Sequence, residues 1–363
     1  MQVTKSNKKK ICIIVSSLGA GGAERSSALL SKMLDYLGYE VYLITMLNRI
    51  DYKYHGKLLN LGLIKDSNPS FLGLIKRYRL LKETLAKEKF DLIIDNRTRP
   101  IFFKELLLSN LFYKNQKLLY VIRSRKLSVY LSKKTIFTSL VYNNDHFYVG
   151  VSKEIEDKVK QIYGFENVFS IYNPLDFKEL ESLANTSIKF SGKYILFYGS
   201  LKDKTKNISM LIDAYKKSVL PSKKIRLLIL GDGDDLQKLK QKANTNLIVF
   251  KPFTKNPFPY VKNALFTCLT SRYEGFPRVV IESLALGTPV VSVNCSGSRE
   301  IIKHAYNGLI VNNDTELYKQ ALNMFILEQN KYLACKKNAK SSVKHLRMSA
   351  IAKQWEQIVK NIT

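Results

Sequence analysis

Short apolar runs alternate with helix-period segments along almost the whole chain, and that rhythm constrains the fold more than any single motif. "KICIIVSS" reads as a buried strand, "GAGG" as a turn, and Ala23 to Leu37 as a helix closed by Gly38. "VYLITM", "DLIID", "LLYVIRS" and "FYVGVS" continue as strands, with "LIKRYRLLKETLAKEK" a helix among them. Runs that are apolar at nearly every position are buried on both faces, as in a parallel sheet covered by helices. The rhythm breaks at "SIYNPLDFKELESLANTSIKFSGK", a polar stretch with an Asn-Pro turn that reads as a linker. A second alternation follows, with strands at "YILFYGS", "IRLLILG", "NLIVF", "LFTCLTS", "TPVVSV" and "GLIV", then only helix from Asp314 onward. The fold class is therefore α/β, two Rossmann-like doubly wound domains facing a cleft. The expected layout is a first domain over 1–173, a linker over 174–192, a second domain over 193–345 and a last helix over 346–363.

Composition narrows the partners. The 363 residues are 45% hydrophobic, which reads as globular, and carry a formal net charge of +29. Such a balance calls for a polyanion: nucleic acid, anionic headgroups or a phosphate-bearing substrate. Cys12, Cys268, Cys295 and Cys335 show no paired spacing, and two of them sit inside apolar runs, which favours a reducing compartment. The basic-then-apolar N-terminus imitates a signal peptide, but its apolar run is too short and leads into a glycine turn. No stretch approaches the ~20 apolar residues of a spanning helix. The expectation is a cytoplasmic protein, at most lying on the membrane.

The chemistry concentrates in "SRYEGFPRVVIESLALGTPVV", where Glu274 and Glu282 stand eight apart around a Gly-Phe-Pro turn. Pro277 suits the first position of a helix, and Gly287 with Pro289 ends it. Glu274 then lies in the loop at a strand's carboxyl end and Glu282 on the helix. Between them the backbone N–H groups near Gly275, Phe276, Pro277, Arg278 and Val279 form the positive end of a helix dipole, an anion site. A diphosphate fits there with a diol at each end: Glu282 toward a nucleotide's ribose, Glu274 toward a sugar. A surface role for Glu282 is disfavoured because "VVIESLAL" is otherwise apolar, and a buried carboxylate needs a partner.

The stretch "EGFPRVVIESLALGTPVV…GSREII" resembles the signature of retaining glycosyltransferase family 4, of GT-B fold. "GGAER", "SIYNPLD", "ILGDGDDLQKL" and the last helix are similar to that family as well, so the resemblance spans nearly the whole chain. It implies transfer of a hexose or N-acetylhexosamine from a nucleotide sugar, UDP above all, with retained configuration and no metal or resident cofactor. The acceptor it implies is a lipid-linked surface glycan, and it places the last helix back on the first domain. The family usually has Gly-Arg-Leu with a Lys-Asn four or five residues on, its arginine and lysine gripping the diphosphate; Lys206 and Asn207 match the Lys-Asn, whereas Ser200 stands where the arginine is usual. At the tip of the loop after "LLYVIRS", Arg125 is the best match to a His or Arg that relatives carry, with Arg123 beside it. Arginine cannot act as a base, so Arg125 would bind phosphate.

Other features are weaker. Gly21 and Gly22 would allow close approach of a diphosphate or acceptor, but "SLGAGGAER" is not a dinucleotide fingerprint. "GDGDD" opens a helix with Asp234 as its cap and is rejected as a metal site. The four histidines form no ligand spacing. From 97 to 134 the chain carries Arg97, Arg99, Lys104, Lys114, Lys117, Arg123, Arg125, Lys126, Lys133 and Lys134 against Glu105 alone, interleaved with apolar and aromatic residues. That pattern reads as an anionic-membrane surface. Two alternatives compete: a basic nucleic-acid- or membrane-binding protein without catalysis, and an epimerase or phosphorylase of the same fold. The first lacks any stacking-plus-basic module, so no nucleic-acid partner is expected.

Overall fold

The computed structural model describes residues 8–19, 21–132, 136–188 and 190–363. The chain divides into two compact units, one of Met1–Pro174 with Met348–Thr363, the other of Leu175–Arg347.

The first unit holds seven parallel strands: β1 (Lys10–Val15), β2 (Glu40–Thr45), β3 (Lys57–Asn60), β4 (Leu92–Asp95), β5 (Leu118–Ile122), β6 (Phe147–Gly150) and β7 (Val168–Ser170). They pair in the order β3-β2-β1-β4-β5-β6-β7, so the winding direction reverses between β1 and β4. Its helices are α1 (Gly22–Tyr36), α2 (Leu61–Ser67), α3 (Phe71–Glu88), α4 (Phe102–Leu111) and α5 (Lys153–Tyr163). Three serines are buried in α1 at little cost, because Ser26, Ser27 and Ser31 each donate to a carbonyl one turn back.

The second unit repeats the plan with β8 (Tyr194–Tyr198), β9 (Arg226–Leu230), β10 (Ile248–Lys251), β11 (Thr267–Leu269), β12 (Val290–Val293) and β13 (Gly308–Val311). The order is β10-β9-β8-β11-β12-β13, reversing between β8 and β11. Helices α6 (Phe177–Ala184), α7 (Asp203–Lys206), α8 (Ile208–Lys217), α9 (Leu236–Ala243), α10 (Phe258–Asn263), α11 (Arg278–Ala285), α12 (Thr315–Leu327) and α13 (Gln329–Ser342) cover it. Along β8 and β9, Ile195, Phe197, Leu227 and Ile229 enter one apolar cluster while Tyr194, Leu196, Tyr198, Leu228 and Leu230 enter another. Each face of the sheet thus has its own core, which is why these strands are apolar at consecutive positions.

The last helix, α14 (Met348–Ile362), belongs to the first unit, where Trp355 lines a small cavity with Leu30 and Met33 of α1. Two expectations need correction, and two strands carried no expectation. The polar stretch read as a linker contains α6, whose cap Asp176 accepts from the N–H of Glu179. The short strands β3 and β7 have too few apolar residues to stand out by pattern. Asp234 caps nothing: Asp235 holds the cap position of α9, and its carboxylate instead accepts from the N–H of Asp203 at the start of α7, 2.8 Å away.

The run of basic residues from 97 to 134 is not one outward face. Arg97 and Arg99 are buried beneath β4 and β5, and the Lys117 Nζ donates to the Ile362 carbonyl. Lys133 and Lys134 lie outside the described residues.

Candidate active site

In a doubly wound sheet, the loops leaving the two strands on either side of the reversal diverge and leave a crevice at their carboxyl ends. In the second unit those strands are β8 and β11. The segment after β8 carries Lys206 at the end of the short helix α7, the loop after β11 carries Glu274, and the fold closes the 68-residue separation to an Nζ–Oε1 distance of 2.6 Å. Both side chains keep partial solvent access, 27% and 16%.

Lys206 owes its place to a pinned turn. Ser209 donates from its N–H and its hydroxyl to the Asp203 carboxylate, which fixes the start of α7. Thr270 donates to the Lys206 carbonyl, and the Arg272 N–H donates to the Thr205 carbonyl. The turn after β8 is thereby stitched to the loop after β11. Asn207, left-handed at φ +52°, receives the Arg272 guanidinium on its Oδ1 at 2.8 Å.

Glu274 is steadied from a third loop. Ser296, after β12, donates to the Glu274 carbonyl at 2.9 Å. Gly297 has φ +78°, and a Cβ there would lie 2.4 Å from the Gly275 carbonyl oxygen. Only glycine lets this loop approach the Glu274–Gly275 turn so closely. Cys295 in the same loop is no nucleophile, since burial pushes its thiol up and holds it neutral.

Pro277 occupies the cap position of α11, one residue earlier than expected, and itself makes no side-chain cap bond. Gly275, Phe276, Pro277, Arg278 and Val279 form the turn into it. Glu282, buried on α11, is gripped by Arg278 one turn earlier, at 3.1 Å from Nε and 3.0 Å from Nη2. The Tyr198 hydroxyl, at the end of β8, donates to the Val279 carbonyl at 2.9 Å and lies 3.4 Å from the Glu282 carboxylate. The partner that a buried glutamate demands is therefore supplied by the chain itself. Arg278 was legible as turn backbone, and its side-chain role was not. Ser200 is exposed, and Lys202 nearby lies 3.8 Å from Asp234. Lys251, at the end of β10, sits 5.8 Å from the rings of both Phe190 and Tyr260.

The first unit places its polar groups at its own reversal. Ser26, Ser27, Asn96, Arg123 and Asn173 form one network: Arg123 donates to Asn96 Oδ1 at 2.8 Å and to Asn173 Oδ1 at 2.9 Å. Asn96 donates to Ser27, and Ser26 to Asn173. Glu24 faces the same region; burial raises its carboxyl, against the pull of Arg123 and Arg49. Gly21 caps α1 and Gly22 opens it. Arg125 stands outside this network, half-exposed and paired with Glu154 of α5 at 2.7 Å. The polar centre of this unit is Arg123, which only the pairing of β4 with β5 brings beside Asn96. Among the described residues no cluster of ligating side chains would hold a metal.

Two doubly wound units, the second with a partly exposed lysine–glutamate pair at the reversal of its sheet, define a two-domain α/β class. Over residues 181–342 the chain matches the family described as glycosyl transferases group 1. It is 30% identical, over 95% of its own length and 98% of the relative's, to the N-acetylgalactosamine-N,N'-diacetylbacillosaminyl-diphospho-undecaprenol 4-alpha-N-acetylgalactosaminyltransferase of Campylobacter jejuni. The fold is also that of HepE from Anabaena, solved in complex with UDP, with a TM-score of 0.72 at 17% identity over 97% of this chain and 100% of that one. Sucrose-phosphate synthase from Thermosynechococcus elongatus matches with a TM-score of 0.75 at 18% identity, covering 98% and 99% of the two chains. The chain belongs to the group 1 glycosyl transferases and has their two-domain GT-B fold.

Proposed function

We propose that this glycosyltransferase moves a hexose or N-acetylhexosamine from a UDP-sugar, with retained anomeric configuration, to a lipid-linked glycan at the cytoplasmic face of the membrane. The observation that carries the reading is the Lys206–Glu274 pair at the reversal of the second sheet, with the start of α11 beside it.

Each group has a task. The diphosphate takes the start of α11, where the helix dipole favours anions, and Lys206 turns from Glu274 to the phosphate oxygens. Glu274, released from its lysine, accepts hydrogen bonds from the donor sugar's hydroxyls and orients it. Glu282, held in place by Arg278, accepts from the ribose diol. As the bond from the anomeric carbon to the diphosphate oxygen breaks, its electrons leave with the diphosphate, and Lys206 stabilises the growing charge. The acceptor hydroxyl bonds to the same face of that carbon and loses its proton to the departing phosphate oxygen. The reading needs no side-chain nucleophile and no metal. The Ser26–Asn96–Arg123–Asn173 network is the acceptor-side counterpart, and Arg125 offers an outer contact for phosphate. The named acceptor of the Campylobacter relative, a diphospho-undecaprenol glycan, supports the lipid-linked choice.

Donor screening with UDP- and GDP-sugars, followed by calorimetric titration of UDP, tests this. Saturable UDP binding with hydrolysis or transfer of one UDP-sugar is the expected result. Binding of no nucleoside diphosphate by the folded protein would overturn it.

A further inference from the structure

The exposed apolar side chains of the first unit are not scattered. Phe71 and Leu72 at the start of α3 are 74% and 71% exposed, with Ile75 one turn on. On α4, Phe103 is 75% exposed, and Leu107 and Leu111 follow at successive turns along the same stripe. These helices share one side of the sheet, because the crossovers from β3 to β4 and from β4 to β5 run in the same direction and are right-handed. They touch, with the Tyr78 and Phe112 rings 5.6 Å apart. Each carries the chain down from the carboxyl end of the sheet, so Phe71, Leu72 and Phe103 lie toward the end that holds Asn96 and Arg123.

The polar rim is predominantly basic. Residues 61–82 hold Lys65, Lys76, Arg77, Arg79 and Lys82 against Asp66 alone, and Arg79 is offset by Glu83. On α4, Lys104 is exposed, as is Lys114 just beyond it, while Glu105 turns inward onto Arg97 at 2.9 Å. Removing that acid from the surface is what leaves the rim basic. A second copy of this chain is a poor occupant, since a two-fold interface would set the two basic rims against each other. Apolar tips ringed by lysines fit a bilayer whose surface is anionic, with the tips at the acyl boundary and the lysines among the headgroups.

We infer that α3 and α4 together form a lipid-docking face that seats the first unit on an anionic bilayer, with the Asn96–Arg123 end toward the membrane. The face rests on the lipid-linked acceptor reading for its purpose alone, and its existence is tested separately. Sedimentation with vesicles of phosphatidylethanolamine and phosphatidylglycerol would compare wild type with Phe71→Ser/Leu72→Ser/Phe103→Ser and with Lys76→Glu/Lys104→Glu/Lys114→Glu. All the replaced side chains are exposed, so both variants should fold, which thermal melts check. Both should partition about tenfold or more weakly than wild type, and pure phosphatidylcholine should bind all three poorly. On a water-soluble acceptor with a shortened lipid, both variants should keep the wild-type rate. Equal partition of wild type and variants, or no wild-type binding at low salt, would overturn the docking face. So would a wild-type dimer that the same substitutions dissolve, without vesicle binding. If vesicle binding follows expectation while no UDP-sugar is used, the docking face stands and the donor reading falls.

Discussion

Both units gather carboxylates and cations at the carboxyl end of the strand that follows the reversal, yet the two clusters are built for opposite purposes. After β4, the Asp95 carboxylate accepts from the Arg97 guanidinium at 3.0 and 2.6 Å and faces Arg99 at 3.3 Å. Arg97 also holds Glu105, and Arg99 donates to the carbonyls of Asp95, Arg97 and Tyr130 while lying over the Tyr120 ring. All four charged side chains are buried. Burial would raise the Asp95 carboxyl, but two guanidiniums hold it below its ordinary value. Glu105 stays above its own, because burial and the nearby Asp95 outweigh the pull of Arg97 and Arg99. After β11, Lys206 and Glu274 make one contact with each other and keep access to water. A buried network whose charges are held by one another cannot exchange them for a ligand. A one-to-one pair with solvent access can.

The sharpest way to break this contrast is to remove one cation from each cluster. Arg97→Ala leaves two buried carboxylates short of a partner and should cost about 3–5 kcal/mol of stability in denaturant titrations. Lys206→Ala should cost about 1 kcal/mol or less, yet lower turnover by about 10²–10³-fold. Comparable stability losses in both variants would mean that the second cluster is structural too.

Glu274→Ala should abolish transfer while UDP affinity stays near wild type, because Glu274 is assigned to the sugar. Turnover and calorimetry on one preparation decide it, and near-normal turnover would remove Glu274 from the site. Glu282→Gln should weaken UDP binding by about 1.5–3 kcal/mol, the scale of hydrogen bonds to a charged group. Unchanged affinity would show that Arg278 and Glu282 serve only each other.

The smallest expected effect is a pH slope in the first unit. His146 packs on the Tyr120 ring, and burial lowers its pKa below the ordinary 6.5. Its folded form therefore binds a proton less readily than its unfolded form. Stability should fall as pH drops below about 6.5, by up to about 1.4 kcal/mol per pKa unit of depression. His146→Phe should flatten that slope, and a slope unchanged in this variant would assign it to other groups.

Much of this was readable along the chain. Strands buried on both faces announce themselves as unbroken apolar runs, so both sheets and most helices were legible. So was the Glu274–Glu282 signature, because its parts sit on one loop and one helix. What stayed hidden depended on partners far apart in sequence. "DFKELESLA" is polar outside and short, so it passed for a linker, although a capped helix needs only a narrow apolar stripe.

The sequence by itself determined two α/β units and the local geometry that sets a helix end between two glutamates, because periodicity and turn chemistry act over neighbouring residues. Only the tertiary structure decided which charges are spent inside and which remain for a ligand. An arginine in a basic run looks the same whether it faces water, as Arg125 does in part, or lies under a sheet against an aspartate, as Arg99 does. Strand order, not composition, sends Lys206 to Glu274 and Arg123 to Asn96, since it is the reversal of winding that opens a crevice at those strand ends.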